Sequence, residues 1–201
     1  MSGVRSDALA LDALYPVGVT TITWTATDIH GNDSSICEQT VTVTGQQAVA
    51  SISSQTICTG SPMTDITISG GVLGTTYSWT RDNGANVTGI ATSGSGDISG
   101  GILTNTTNVP VTVTFTITPN YDGCAGTPIT AIVIVNPKAE TPVISGNAPF
   151  CQGSSVTLDA GSGYASYSWS NGATTQTTAV SNATPVSVSV TNSFGCSATS
   201  L

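Results

Sequence analysis

One histidine, eleven acids and five cysteines hold whatever chemistry this 201-residue sequence can offer. His30 lies in the turn-forming run Asp28-Ile29-His30-Gly31-Asn32-Asp33. Asp28 and Asp33, with nearby carbonyls, are candidate calcium ligands, because hard cations take carboxylate and carbonyl oxygens. The plainer reading is preferred: a polar turn in which Asp and Asn bond their own backbone. No motif marks a serine or cysteine as a partner for His30, so nucleophilic catalysis is not expected. The remaining acids are scattered singly over turns and strand ends, and no pair suited to glycoside hydrolysis stands out. Asp97, in Ser93-Gly94-Ser95-Gly96-Asp97, could meet a ligand, although a Gly/Ser run is more often a connector. No Gly-rich phosphate loop ending in Lys-Ser or Lys-Thr occurs. The chain is expected to be no enzyme and to require no cofactor.

The cysteines have no CxxC spacing and almost no histidine beside them, which argues against zinc and for disulfides made in an oxidising compartment. They recur with a triplet: Cys58, Tyr77-Ser78-Trp79, Cys124, and again Cys151, Tyr167-Ser168-Trp169, Cys196. Pairing within each copy gives Cys58–Cys124 and Cys151–Cys196 and leaves Cys37 unpaired. That scheme is favoured over the other connectivities four cysteines allow. Geometry sets a condition on it. In a simple sandwich Cys151 and Cys196 stand at opposite ends, and they meet only if Cys151 lies on a kinked first strand beside the last one. Cys37 reads as an orphan of the chain boundary, more than as a reactive thiol. Trp24, Tyr77, Trp79, Tyr167 and Trp169 could stack on sugars, but each Trp sits in an alternating strand, where a sandwich core is the better reading. Tyr121, Tyr164 and Phe194 lie in turn-like sequence and are the aromatic candidates for exposed contacts.

The elements that must position these residues are strands. Only 7% of residues are charged, while mean hydropathy is +0.20, so Thr and Ser supply the solubility. Thr is β-branched and suits a pleated surface with one wet face. The good helix formers Lys, Glu and Arg are nearly absent. The net charge of −8 sets eleven acids against Arg5, Arg81 and Lys138. Three cations cannot form the basic patch that nucleic acid or an anionic membrane requires. No apolar run approaches the ~20 residues of a membrane span. The opening residues lack the apolar core of a signal peptide, so if the protein is exported residue 1 is not expected to be its true start.

The repeat divides the chain into 1–45, 46–138 and 139–201, read as tandem immunoglobulin-like β-sandwiches of an all-β protein. In the first piece Val19–Thr27 and Gln39–Thr44 alternate apolar with polar around the His30 turn, giving a hairpin that is marginal alone and reads as the end of a sandwich. The second piece shows strands at Ile66–Ile68, Thr76–Thr80, Val109–Thr118 and Ile129–Val135, separated by Gly-rich turns, including Gly94–Gly101. Asn136-Pro137-Lys138-Ala139-Glu140-Thr141-Pro142 is a short, stiff linker. The third shows strands at Val156–Leu158, Tyr167–Ser170 and Val186–Val190, with its closing strand cut short or just begun.

Three family resemblances follow. Tyr15 to Asp28, Gly31-Asn32 and Cys37 to Val43 resemble the C-terminal half of a HYR domain. Ile57-Cys58-Thr59-Gly60, Tyr77-Ser78-Trp79-Thr80, Leu103-Thr104-Asn105, Gly123-Cys124-Ala125-Gly126 and Val133 to Pro137 resemble the PKD-like domains of Bacteroidota surface proteins. Cys151 to Leu158, Tyr167 to Gly172 and Gly195 to Thr199 resemble the short immunoglobulin-like repeat found beside them. Together they are similar to stretches of giant gliding-motility adhesins exported by type IX secretion. The resemblance implies a non-catalytic adhesin segment at the cell surface. Its partners would be neighbouring domains of the same chain, and surface glycans or other surface proteins. The alternatives are an accessory module of a secreted glycan-degrading enzyme, or a subunit of an extracellular filament or surface layer.

Overall fold

The computed structural model describes residues 2–16, 18–43, 45, 47–146 and 149–200. Among these, every regular element is a β-strand. Thr44 and Gln46, at the expected junction of the first two pieces, lie outside the described residues.

The first piece is an antiparallel sheet of β1 (Ser2–Arg5), β2 (Gly18–Thr25) and β3 (Cys37–Val43), in that order. The expected hairpin is β2–β3, with Thr21 opposite Thr40. β1 is a correction to the two-strand reading: it is four residues long with one apolar side chain, too short for alternation to register. It lies close beneath Trp24, so that a Cβ added at Gly3 would come within 2.8 Å of the ring. Thr20 and Ile22 are buried while Val19 faces out, the period-2 pattern of a one-sided sheet. Arg5, which sequence counted only as a surface cation, is buried. It pairs with Asp7, donates to the carbonyls of Ala10, Ala13 and Leu14, and sits 3.8 Å from the centre of the Tyr15 ring. The 6–16 loop is wrapped around one guanidinium.

The second unit runs through β4 (Ala48–Ala50), β5 (Ser54–Cys58), β6 (Ile68–Gly70), β7 (Thr76–Arg81), β8 (Val87–Thr88), β9 (Ser93–Ser95), β10 (Thr104–Asn105), β11 (Val111–Tyr121), β12 (Cys124–Ala125) and β13 (Ile129–Asn136). Its main sheet has the order β5-β13-β11-β7-β9, with β12 hairpinned onto β11. β5 pairs with β13 in parallel, and the other pairings in this sheet are antiparallel. A second layer is assembled from β4–β6 and β8–β10, stitched by the bridges Ile66–Ile98 and Pro62–Ile102. Val113, Phe115 and Ile117 alternate inward along β11, as do Ala131, Val133 and Val135 along β13. They meet Ile66, Val87, Ile98 and Leu103 of the other layer in one core. Each such side chain contributes about 1.5–3 kcal/mol on burial. β9 corrects the reading of Gly94–Gly101 as all turn. Gly94 pairs with Trp79, and an added Cβ there would come within 2.3 Å of that ring, so glycine is the residue that lets the strand close.

The third unit is smaller: β14 (Val156–Asp159), β15 (Ser166–Trp169), β16 (Thr177–Val180), β17 (Val188–Thr191) and β18 (Ser197–Thr199). β14–β16 faces β15-β17-β18 across a separate core of Leu158, Trp169, Val188, Val190 and Ala198. The Tyr-Ser-Trp triplet plays one role in both units. Trp79 and Trp169 are buried, whereas the Tyr77 hydroxyl donates to the Gly70 carbonyl and that of Tyr167 to Gly161. The protein is all-β, built from immunoglobulin-like sandwiches.

Candidate functional site

The linker that sequence read as a spacer is itself docked. Ala139 is buried in the core of the third unit, three residues after β13 ends at Asn136. The Asn136 side chain donates to the Phe194 carbonyl at 3.3 Å, and the Asn192 side chain donates to the Pro137 carbonyl at 3.1 Å. Thus the β17–β18 turn of the third unit rests on the exit strand of the second. Asn192 also holds its own turn, its Oδ1 accepting from the backbone N–H of Phe194 and Cys196.

Across this joint Cys58 and Cys196 form a disulfide, with Cα atoms 5.6 Å apart and a sequence separation of 138 residues. Both expected pairings are therefore corrected: Cys58 does not bond Cys124, nor does Cys151 bond Cys196. Cys124 and Cys151 are free and exposed, as is Cys37. Register gives the reason. Cys58 pairs with Asn136, next to Val135 and its partner Val111, at one end of β11. Cys124 pairs with Tyr121 at the other end of that eleven-residue strand. At ~3.3 Å per residue the two cysteines stand roughly 30 Å apart, against the ~7 Å that a disulfide tolerates. In the third unit the joint is lined by Ser162 and Tyr164, just beyond the end of β14, so Cys151, ahead of the start of β14, stands at the far end from Cys196. The cysteine of one unit's last turn reaches back to the first strand of the unit before it.

Beside the bond lies an open cavity of about 250 Å³ lined by Asn108, Lys138, Glu140, Tyr164, Asn192 and Phe194. Two of the three aromatic contact candidates come together here; Phe194 is 44% exposed, and Tyr164 stacks edge-on against Tyr167. Tyr121, also exposed, is at the opposite end of the second unit with Cys124. The joint residues Asn136 and Asn192 were missed, although Asn192-Ser193-Phe194-Gly195-Cys196 and Asn120-Tyr121-Asp122-Gly123-Cys124 share an Asn-x-x-Gly-Cys pattern that could have flagged the turn.

The remaining candidates are spread apart. Asp28 accepts from the N–H groups of His30 and Asn32 and from the Asn32 side chain. The Asn32 side chain, first, and then these backbone donors hold its carboxyl below the ordinary value of 3.8. Asp33 accepts from the Thr27 hydroxyl at 2.6 Å. The oxygens offered as calcium ligands thus take protein donors, and among the described residues no group of three or more His, Cys, Asp or Glu converges. Asp97 accepts from the Ile68 N–H at 2.7 Å, tying the Gly/Ser run to β6. Trp24 is half-buried, its Nε1 donating to Gln39, so the core reading holds for Trp79 and Trp169 more fully than for Trp24.

Residues 55–139 match the family model of the PKD-like domain. No curated protein matches the chain. Among solved structures it is similar to the FN1–FN3 domains of chicken CNTN1, at 12% identity and a TM-score of 0.36, covering 90% of this chain and 72% of that one. A disulfide persists where thiols are not kept reduced. The chain is thus a run of extracellular immunoglobulin-like repeats, one of them similar to PKD-like domains.

Proposed function

We propose that the chain is a non-catalytic, load-bearing segment of a large secreted cell-surface adhesin. The observation that carries this is the second covalent connection across the joint. Two units joined by a linker alone hinge, and relative motion is the default for a small polar interface. Here the Cys58–Cys196 bond and the Asn136 and Asn192 contacts fix the third unit against the second. A row of units fastened in this way is a rod able to project a binding region or to present many weak contacts whose avidity exceeds each one.

The bond also decides what tension can reach. When the chain is pulled from its two ends, the force path runs to Cys58, across the sulfurs and out from Cys196, bypassing the residues between. Pulling both ends in a force spectrometer tests this. The 138-residue separation predicts that reduction releases roughly 480 Å of extra extension, at ~3.5 Å per residue. Equal extension with and without reductant rules out the load-bearing role. Saturable glycan binding by the joint cavity, lost on Tyr164→Ala, would instead favour an accessory module of a glycan-degrading enzyme.

A further inference from the structure

The bonded joint has two halves, and each recurs unbonded in this chain. On the receiving side, Cys58-Thr59-Gly60-Ser61 closes a turn in which the Ser61 N–H donates to the Cys58 carbonyl at 3.0 Å, with Gly60 at φ 81°. Cys151-Gln152-Gly153-Ser154 repeats it: the Ser154 N–H donates to the Cys151 carbonyl at 3.0 Å, with Gly153 at φ 91°. Both glycines hold a left-handed conformation that a side chain disfavours. On the reaching side, Asn192-x-x-Gly195-Cys196 has its counterpart in Asn120-x-x-Gly123-Cys124. The Cys124 hairpin is the tighter of the two, Asn120 pairing with Ala125. Cys151 faces away from the second unit and Cys124 away from the third, as the register above requires, and both are exposed.

From this we infer that the Cys151 end of the third unit is a receiving surface for the Asn-x-x-Gly-Cys turn of a further unit of the same kind, fastened to it by a disulfide. The inference stands on the joint and would hold whether or not the rod is an adhesin. The chemistry is two thiol–disulfide exchanges with an external disulfide such as oxidised glutathione. The Cys151 thiolate attacks one sulfur of that disulfide, forming a mixed disulfide and releasing one reduced glutathione. The incoming cysteine's thiolate then attacks the Cys151 sulfur, and the second glutathione leaves reduced. Both thiol protons go to solvent, and the two electrons reside on the released thiols. Once the turn is docked, the second exchange is intramolecular and has the advantage of a high effective concentration.

The test lengthens the full chain by a second copy of residues 130–201 placed after Leu201. Leu201 stands five residues after Cys196 as Ile129 stands five after Cys124, so strand, linker and turn then follow the third unit as they follow the second. After oxidative refolding, peptide mapping without reduction is expected to find Cys58 bonded to the first copy of Cys196, and Cys151 to the second. A Cys151 that remains open to alkylation, while Cys58–Cys196 forms and the added unit resists protease, overturns the inference. If the added unit does not fold, a second measurement decides. Two variants of the unextended chain, Cys37→Ser/Cys151→Ser and Cys37→Ser/Cys124→Ser, each keep one exposed thiol and are mixed in a glutathione redox buffer. Unlike pairs, Cys124 to Cys151, are expected to exceed like pairs by about tenfold. The statistical ratio of two unlike to one of each like pair would refute a specific receiving surface.

Discussion

Removing the inter-unit bond with Cys58→Ala/Cys196→Ala has an effect that the register allows to be worked out. If only the third unit opens, the folded second unit still holds Asn136 beside Cys58. The ring closed by the bond is then the stretch from position 136 to position 196, a loop of 60 residues. In the chain-entropy account a loop of that length constrains the open state by about 4 kcal/mol. At roughly tenfold per 1.4 kcal/mol, amides of β14 to β18 should lose protection from hydrogen exchange by about a thousandfold. If only the second unit opens, the ring runs from 58 to about 137, and its amides should fall by a similar factor. A unit of this size, with a core of a few side chains, has little stability to spare. Hydrogen exchange read by mass spectrometry, with and without a reducing agent on the unmodified chain, checks both halves. Cys151→Ala serves as the control that removes a thiol and no bond. Protection unchanged within a factor of five in the double variant would show that the joint contributes no constraint.

Four further outcomes are expected. Arg81 is buried and donates to the carbonyls of Ala91, Val87 and Ile90; Arg81→Leu should destabilise the second unit by about 3 kcal/mol in urea titration, since it leaves those acceptors unpaired. Gly94→Ala should cost about 1–3 kcal/mol by forcing a methyl into the Trp79 ring, visible as a shifted Trp79 emission on melting. Asp159 is held below 3.8, first by the Gln176 side chain and then by the Gly161 N–H. Its contribution is present above that ordinary value and is lost as pH falls through the lower folded value, so its carboxyl carbon should titrate later on acidification than a free aspartate, and the gap should shrink in Gln176→Ala. Asp28→Ala should loosen the 26–36 loop by removing the acceptor for His30 and Asn32, whereas adding calcium to the parent chain should leave exchange in that loop unchanged.

Much of the fold was legible because burial and period coincide. Val113, Phe115 and Ile117 alternate with threonines in sequence and alternate inward in the sheet. Trp79 and Trp169 were placed in the cores by the same logic. The disulfide was not legible, because a repeat establishes which residues are equivalent and says nothing about which copy supplies the partner. Cys58 and Cys124 are equivalent to Cys151 and Cys196, yet only the cross-unit pair lies within reach. Arg5 and Arg81 were counted as surface charge because their partners are loop carbonyls, which carry no sequence signature. β1 and β9 were missed for a related reason: their glycines, Gly3 and Gly94, serve the rings of Trp24 and Trp79, and no pattern along the strand records that.

The Cys58–Cys196 bond makes a closed ring of everything between those two residues. One cut in the backbone anywhere in that ring, in an exposed loop such as 82–92 or 181–186, divides the peptide without dividing the molecule. A protease would have to cut twice, or a reductant act first, before the downstream part came free. With Arg81 buried, Lys138 is the other basic residue within the ring. For a protein working among foreign enzymes, the joint therefore serves as damage tolerance as much as stiffness: a nicked link still holds.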